Sequence, residues 1–183
     1  EFGYRFTPVA GNRDVYRSSV NYGNGFRLFE GTVRVNSRDG HGRFVDEITL
    51  NTLGSGGDPY QANSLRIEKN RLYRYELGFR IVNYYNRLLA LSGGEHGFNT
   101  ERIFQNHDLT LFPQSWLQLL LGFDRNNQTG PALNSENVGV LRDDAFPRDR
   151  FFVFADDVRR LNNTWRLGVN LTLFGVKLSF LRG

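Results

Sequence analysis

Tyr73-Arg74-Tyr75-Glu76-Leu77-Gly78-Phe79-Arg80-Ile81 alternates without a break between a large apolar side chain and a charged residue or glycine. Side chains along a β-strand point to opposite faces in turn, so this stretch makes one apolar face and one charged face. A rival helical reading exists for 62–91. Leu, Arg, Glu and Lys are good helix formers, and Leu65, Leu72, Phe79 and Leu88 can be placed on one stripe. Nine residues of strict alternation with Gly78 inside them favour the strand.

The same pattern recurs on both sides of this stretch. Trp165, Leu167, Val169, Leu171 and Leu173 oppose Arg166, Gly168, Asn170 and Thr172. Leu117, Leu119, Leu121 and Phe123 oppose Gln118, Gly122 and Asp124, with Leu120 as an exception. Phe29, Val33 and Val35 oppose Glu30, Thr32 and Arg34. These patterns place strands at 26–36, 43–53, 60–69, 72–84, 102–112, 115–125, 163–173 and 175–182. Short spacers fall near Gly40–Gly42, Asn70–Arg71, Pro113–Gln114 and Phe174–Gly175. Longer ones cover 54–59, 85–101 and 126–162, the last holding a further apolar stretch at Arg150–Val158. Short turns alternating with long loops describe an antiparallel up-and-down meander of about eight strands. A polar N-terminal segment, 1–25, precedes strands spanning 26–183, with a long loop near 126–162.

An internal repeat supports the meander. Asp108-Leu109-Thr110-Leu111-Phe112-Pro113 and Asn170-Leu171-Thr172-Leu173-Phe174-Gly175 each precede a strand. In the second copy the apolar positions change from odd to even at Leu173/Phe174, and such a flip requires a bulge or a turn. Pro113 at the equivalent place in the first copy points to a turn in both.

Composition narrows the class. The chain has 183 residues, 14% aromatics and no Cys. The rings argue against disorder. The missing thiols exclude disulfide scaffolds, thiolate metal sites, covalent haem attachment through Cys and Cys nucleophiles. The longest apolar run, Phe151–Ala155, is far too short for a transmembrane helix. Residues 1–25 show neither a basic nor an apolar leader region, so no signal peptide is expected. The net charge of +4 comes from arginines interleaved with acids, as in Arg66/Glu68, Arg74/Glu76 and Arg142/Asp143. Nucleic-acid binders cluster their positive charge, so no nucleic-acid partner is expected.

Two architectures fit one apolar and one polar face: a soluble sandwich and a transmembrane barrel. Three features favour the barrel. Strands of about eleven residues, tilted near 45°, span about 25 Å, the height of an outer-membrane apolar band. Full charges sit at mid-strand (Glu30, Arg34, Arg74, Glu76, Arg80, Arg166), where a lumen tolerates them. Rings lie near strand ends (Tyr84, Tyr85, Phe112, Trp116, Phe123, Trp165, Phe174), as in interfacial girdles. The expected interfacial set is therefore Tyr84, Tyr85, Trp116, Phe123 and Trp165, in contact with a lipid bilayer. The expected lumen-facing ladder is Arg74, Glu76 and Arg80, with a plain structural pairing across a filled interior as its alternative.

Gly11-Asn12-Arg13-Asp14-Val15-Tyr16-Arg17-Ser18, followed by Val20-Asn21-Tyr22-Gly23-Asn24-Gly25 and a strand, resembles a recurrent stretch of bacterial outer-membrane barrels of the porin-cytochrome (MtrB/PioB-like) type. The Leu-Thr-Leu-Phe turns are similar to the repeated hairpins of that family. The resemblance covers about the first 50 residues. It implies a bacterial outer-membrane location, a pore or sheath role in electron transfer and a multihaem cytochrome partner. Members have many more strands than eight, and outer-membrane barrels commonly end on an aromatic residue, unlike Phe180-Leu181-Arg182-Gly183. A segment of a larger barrel is the expectation. A small structural or adhesive barrel and a soluble carbohydrate-binding sandwich are the alternatives.

No catalytic machinery is legible. Of the three histidines, His41, His96 and His107, neither His41 in its Gly-His-Gly turn nor His96 in a Gly-rich loop has a partner at metal-ligand spacing. Asp124-Arg125-Asn126-Asn127-Gln128 lacks the Gly and Glu of a calcium loop. The glycine-rich Leu53–Pro59 lacks a phosphate-binding lysine, and the pairs Asp143-Asp144 and Asp156-Asp157 read as solvated loop charge. The expectation is a protein that is not an enzyme and carries no cofactor of its own.

Overall fold

The computed structural model describes residues 1–38, 40–91, 94–137 and 151–183. Nine strands form one antiparallel sheet in strict sequence order: β1 (Phe2–Arg5), β2 (Gly25–Asn36), β3 (Glu47–Ser55), β4 (Tyr60–Lys69), β5 (Tyr73–Leu91), β6 (Gly94–Leu111), β7 (Leu117–Asn137), β8 (Phe151–Leu173) and β9 (Val176–Arg182). The all-β meander is therefore as expected. A helix over 62–91 is not formed, because Tyr60–Lys69 and Tyr73–Leu91 pair as neighbouring strands, from Lys69↔Tyr73 to Tyr60↔Val82.

Three boundaries differ from the sequence reading. The sheet gains a ninth strand, Phe2–Arg5, which lies inside the polar N-terminal segment 1–25 and pairs with Gly25–Leu28. The loop expected over 85–101 is strand on both sides of its tip, since β5 and β6 stay paired as far as Leu91↔Gly94. Within 126–162, β7 continues to Asn137 and β8 starts at Phe151, paired residue by residue from Asn127↔Leu161 to Asn137↔Phe151. Long hairpins replace long loops. The pair Asp143-Asp144 lies outside the described residues.

The turns follow local chemistry. Leu173 pairs with Val176, leaving the two-residue turn Phe174-Gly175 with φ of 50° and 81°. Positive φ at both central positions matches the twist of a hairpin, and glycine adopts it without strain. Phe112, at the equivalent place in the first repeat copy, also has a positive φ of 54°. The phase flip read from the sequence is thus a turn in both copies. One short helix, α1 (Arg13–Ser19), interrupts the β1–β2 connection. Asn12 caps it, accepting from the backbone N–H groups of Asp14 and Val15 at 2.9 and 3.2 Å, which satisfies two otherwise free donors.

A single-layer sheet leaves little room for a core. Among the described residues only Tyr85 and Val158 are buried hydrophobics. The accessible surface is 13424 Å², against roughly 9,000 Å² for a compact monomer of this mass. The excess lies on apolar side chains: Val33, Val35, Leu50, Leu121, Trp165, Leu167, Leu178 and Phe180 are all exposed.

Candidate functional surface: an apolar band backed by a charged face

Register decides which side chains share a face. Tyr73, Tyr75, Leu77, Phe79 and Ile81 of β5 align with Leu111, Leu109, His107, Gln105 and Ile103 of β6. The row continues through Leu119, Leu121 and Phe123 of β7 and Val169, Leu167 and Trp165 of β8. Phe180 and Leu178 of β9 extend it opposite Val169 and Leu171. On the other flank it narrows to Leu65 and Ile67 of β4, Leu50 and Ile48 of β3, and Val33 and Val35 of β2. On β5 the band stretches from Tyr73 to Ile81, about 20 Å high at a 45° tilt. From β5 to β9 it steps toward the short turns, as a level band does on tilted strands.

The opposite face carries the charges. Arg74, Glu76 and Arg80 share it, and the structure supplies their partners. Arg74 Nε donates to Glu68 at 3.3 Å, and Arg66 Nη2 donates to the same carboxylate at 2.6 Å. Arg66 also lies 3.9 Å from Glu76, and Arg80 donates to Asn106 at 3.5 Å. Arg34 and Glu47, 3.7 Å apart, continue the row to β2. Glu76 and Asp108 stand directly opposite each other, a like-charge pair that would be unfavourable alone. Glu76 is met by Arg66 from the next strand outward, and Asp108 by an arginine from farther along the sheet.

For Asp108 that arginine is Arg166, two strands away. Its Nη2 donates to Asp108 at 2.9 Å and to Asp124 at 3.0 Å. It reaches β6 by lying across Gly122 of β7, where a Cβ would stand 3.0 Å from its Nε and 3.1 Å from its Cζ. Sequence reading placed Arg166 on the polar face but not its partners, because they follow from register alone. Gly122, a small residue in an otherwise leucine-rich strand, was the available signal.

The five expected interfacial rings do not form one set. Phe123 and Trp165 share the apolar face with centroids 4.5 Å apart, and Trp165 is 70% exposed. His107 stacks beside Phe123, and its Nδ1 lies 2.8 Å from the Tyr75 hydroxyl. Trp116 sits exposed in the β6–β7 turn. Tyr84 is on the charged side of the sheet, edge-on to Phe98. Tyr85 is 8% exposed: its hydroxyl donates to Asp14 at 2.6 Å, and Arg17 lies 3.7 Å over its ring. It anchors α1 to the sheet.

Beyond the band the sheet is held differently. Asp58, in the β3–β4 turn, receives Arg27 Nε at 2.9 Å and also pairs with Arg5. Arg27 is 6% and Asp58 4% exposed, and Arg27 donates further to the carbonyls of Phe26 and Gly23. At the short-turn end Asp46 accepts from Lys69 Nζ, Asn70 N and Gly42 N, each at 2.8 Å. The Lys69 bond, then the backbone donors, hold its carboxyl below the usual range.

His41 lies in the β2–β3 connection and His107 on β6, and no group of three His, Cys, Asp or Glu fit to hold a metal occurs among the described residues. No helix among the described residues is long and apolar enough to cross a membrane. No family model, curated protein or solved structure matches the chain, and so none identifies it with the porin-cytochrome barrels.

Proposed function

We propose that this chain forms wall of a transmembrane β-barrel in a bacterial outer membrane, a pore or sheath without catalysis of its own. The observation that carries the reading is the continuous apolar band, exposed on one face and backed across β2–β8 by a paired charged ladder. In water such a face would need a second layer, and the described residues supply none for it. In a bilayer the same face meets acyl chains, every interior strand has its backbone paired, and the charges turn to a lumen.

Wall is the appropriate word because β1 and β9 run in the same direction. Nine antiparallel strands cannot close on themselves with an antiparallel seam, so a barrel that includes all nine and closes with such a seam takes an odd number of further strands. A barrel of that size is wider than an eight-stranded one and encloses a channel rather than a filled interior. A multihaem cytochrome as the enclosed partner, and electron transfer as the purpose, are what the sequence resemblance adds.

Fractionation of the native protein tests the reading. Recovery only in detergent extracts of outer membranes is expected, and recovery in buffer alone would overturn it.

A further inference from the structure

The search for sites outside the ladder ends at a cleft of about 970 Å³ on the apolar side of the sheet, beyond the band. One wall is the N-terminal segment, with Thr7, Arg13, Tyr16 and Tyr22. The other is the sheet, with Asn83, Tyr84, Asn99, Glu101 and the Gly130-Pro131 step. The volume is that of a small-molecule site.

Backbone geometry opens the cleft. Ladder pairing between β6 and β7 passes from Phe98↔Ala132 to Glu101↔Thr129, skipping the residues between. Pro131 has no N–H to donate. Gly130 has φ of 143°, and a Cβ on it would stand 2.2 Å from the Asn99 carbonyl oxygen.

Two polar atoms in these walls are buried without a partner: Thr7 Oγ1 and Asn99 Oδ1. Leaving such atoms unsatisfied costs about 1–3 kcal/mol each. Around them stand amides (Asn21, Asn24, Asn83), two exposed guanidiniums, Arg13 and Arg17, the second already lying 3.7 Å over the Tyr85 ring, and the half-open ring of Tyr22. An ionised phosphate does not fit this set. It brings no hydrogen for Asn99 Oδ1, and Glu101 stands in the same wall. A sugar does fit: its hydroxyls both donate and accept, and its C–H faces lie against a tyrosine ring.

We propose that this cleft binds a saccharide, with Asn99 and Thr7 as hydrogen-bonding groups and Tyr22 as a ring platform. The site does not depend on the barrel reading. A free glycan and the sugar portion of a glycolipid share this chemistry, and the cleft's position beside the band would admit either.

The test is a glycan array of neutral and acidic bacterial oligosaccharides probed with the full chain in detergent, alongside glycolipid micelles and inorganic phosphate. Retention of at least one saccharide is expected, with affinity falling at least tenfold in both Asn99→Ala and Thr7→Val. Thr7→Val keeps the side-chain shape, so a loss there is not a folding defect, and Asn51→Ala on the charged face should bind normally. Binding of free glycans identifies a soluble ligand; binding of micelles alone identifies a glycolipid. The proposal is overturned if no saccharide is retained in either form, if the two variants bind as tightly as the parent, or if phosphate competes.

Discussion

The two ends of the long hairpins use the same strands and the same backbone pairing but opposite chemistry. Near the short turns, β5 to β9 present Tyr73, Leu109, Leu121, Leu167 and Phe180 to one side and a paired ladder to the other. Toward the far tips, β5 to β8 carry Asn83, Glu101, Thr129 and Arg159 where the apolar residues had been. There the sheet is held by polar knots, Arg27–Asp58–Arg5 and Tyr85–Asp14, rather than by an apolar face. The difference teaches where the environment changes. On the barrel reading proposed above, one half would be embedded, and the other would stand in water and carry the N-terminal segment.

The largest expected effect lies at the watery end. Removing Asp58 leaves Arg27 buried without a counter-charge, and breaking a buried pair costs about 3–5 kcal/mol. Asp58→Ala should lower stability by that order in urea titration of the detergent-solubilised protein. An unchanged midpoint would show that the knot does not hold the N-terminal segment.

Next comes a contrast along one strand. Leu121→Arg puts a charge in mid-band and should cost about 2–4 kcal/mol in phosphatidylcholine vesicles, whereas Asn127→Arg, on the same face at the band's upper rim, should cost about 1 or less. Equal losses would remove the distinction between the halves.

Gly122→Val attacks the band from behind. The new side chain occupies the path of Arg166, so Asp108 and Asp124 lose their partner, for a loss of about 1–3 kcal/mol by overpacking. Arg166→Ala made on top of Gly122→Val should add little, and additive losses in that double variant would contradict the contact.

The smallest effect is a pH dependence at the short-turn end. Asp46 has a carboxyl pKa below its ordinary value, so its contribution is present above the ordinary carboxylate range and is lost as pH falls through the lowered value. Protection of the Gly42 and Asn70 amides, relative to free amides at the same pH, should fall on acidification below the ordinary carboxylate range, and Asp46→Asn should show the reduced protection already at neutral pH.

How much of this was legible follows from the same contrast. Where one face is apolar and the other charged, as in Tyr73–Ile81, period two is unmistakable and the strand reads directly. In the tips both faces are polar: Asn86, Asn126, Asn127, Gln128 and Asn162 carry no period, and their strand character comes from being zipped to a partner. The sequence pattern places them in loops for that reason. Arg74, Glu76 and Arg80 were legible as sharing a face, but Glu68 and Asp108 as neighbours required turn lengths to fix the register. Tyr85 was legible as a ring near a strand end. Its cover by Asp14, 71 residues away in sequence, leaves no local trace.

The absence of Cys from the sequence allows a direct test of the half proposed to be embedded. Single cysteines at 117, 119, 121 and 123, and at 118, 120 and 124, would be labelled with bimane in phosphatidylcholine vesicles containing brominated acyl chains. Strong quenching at the odd positions and little at the even ones is the expected result. Equal quenching at both sets, or a protein that stays in buffer and leaves the vesicles unlabelled, would contradict the account.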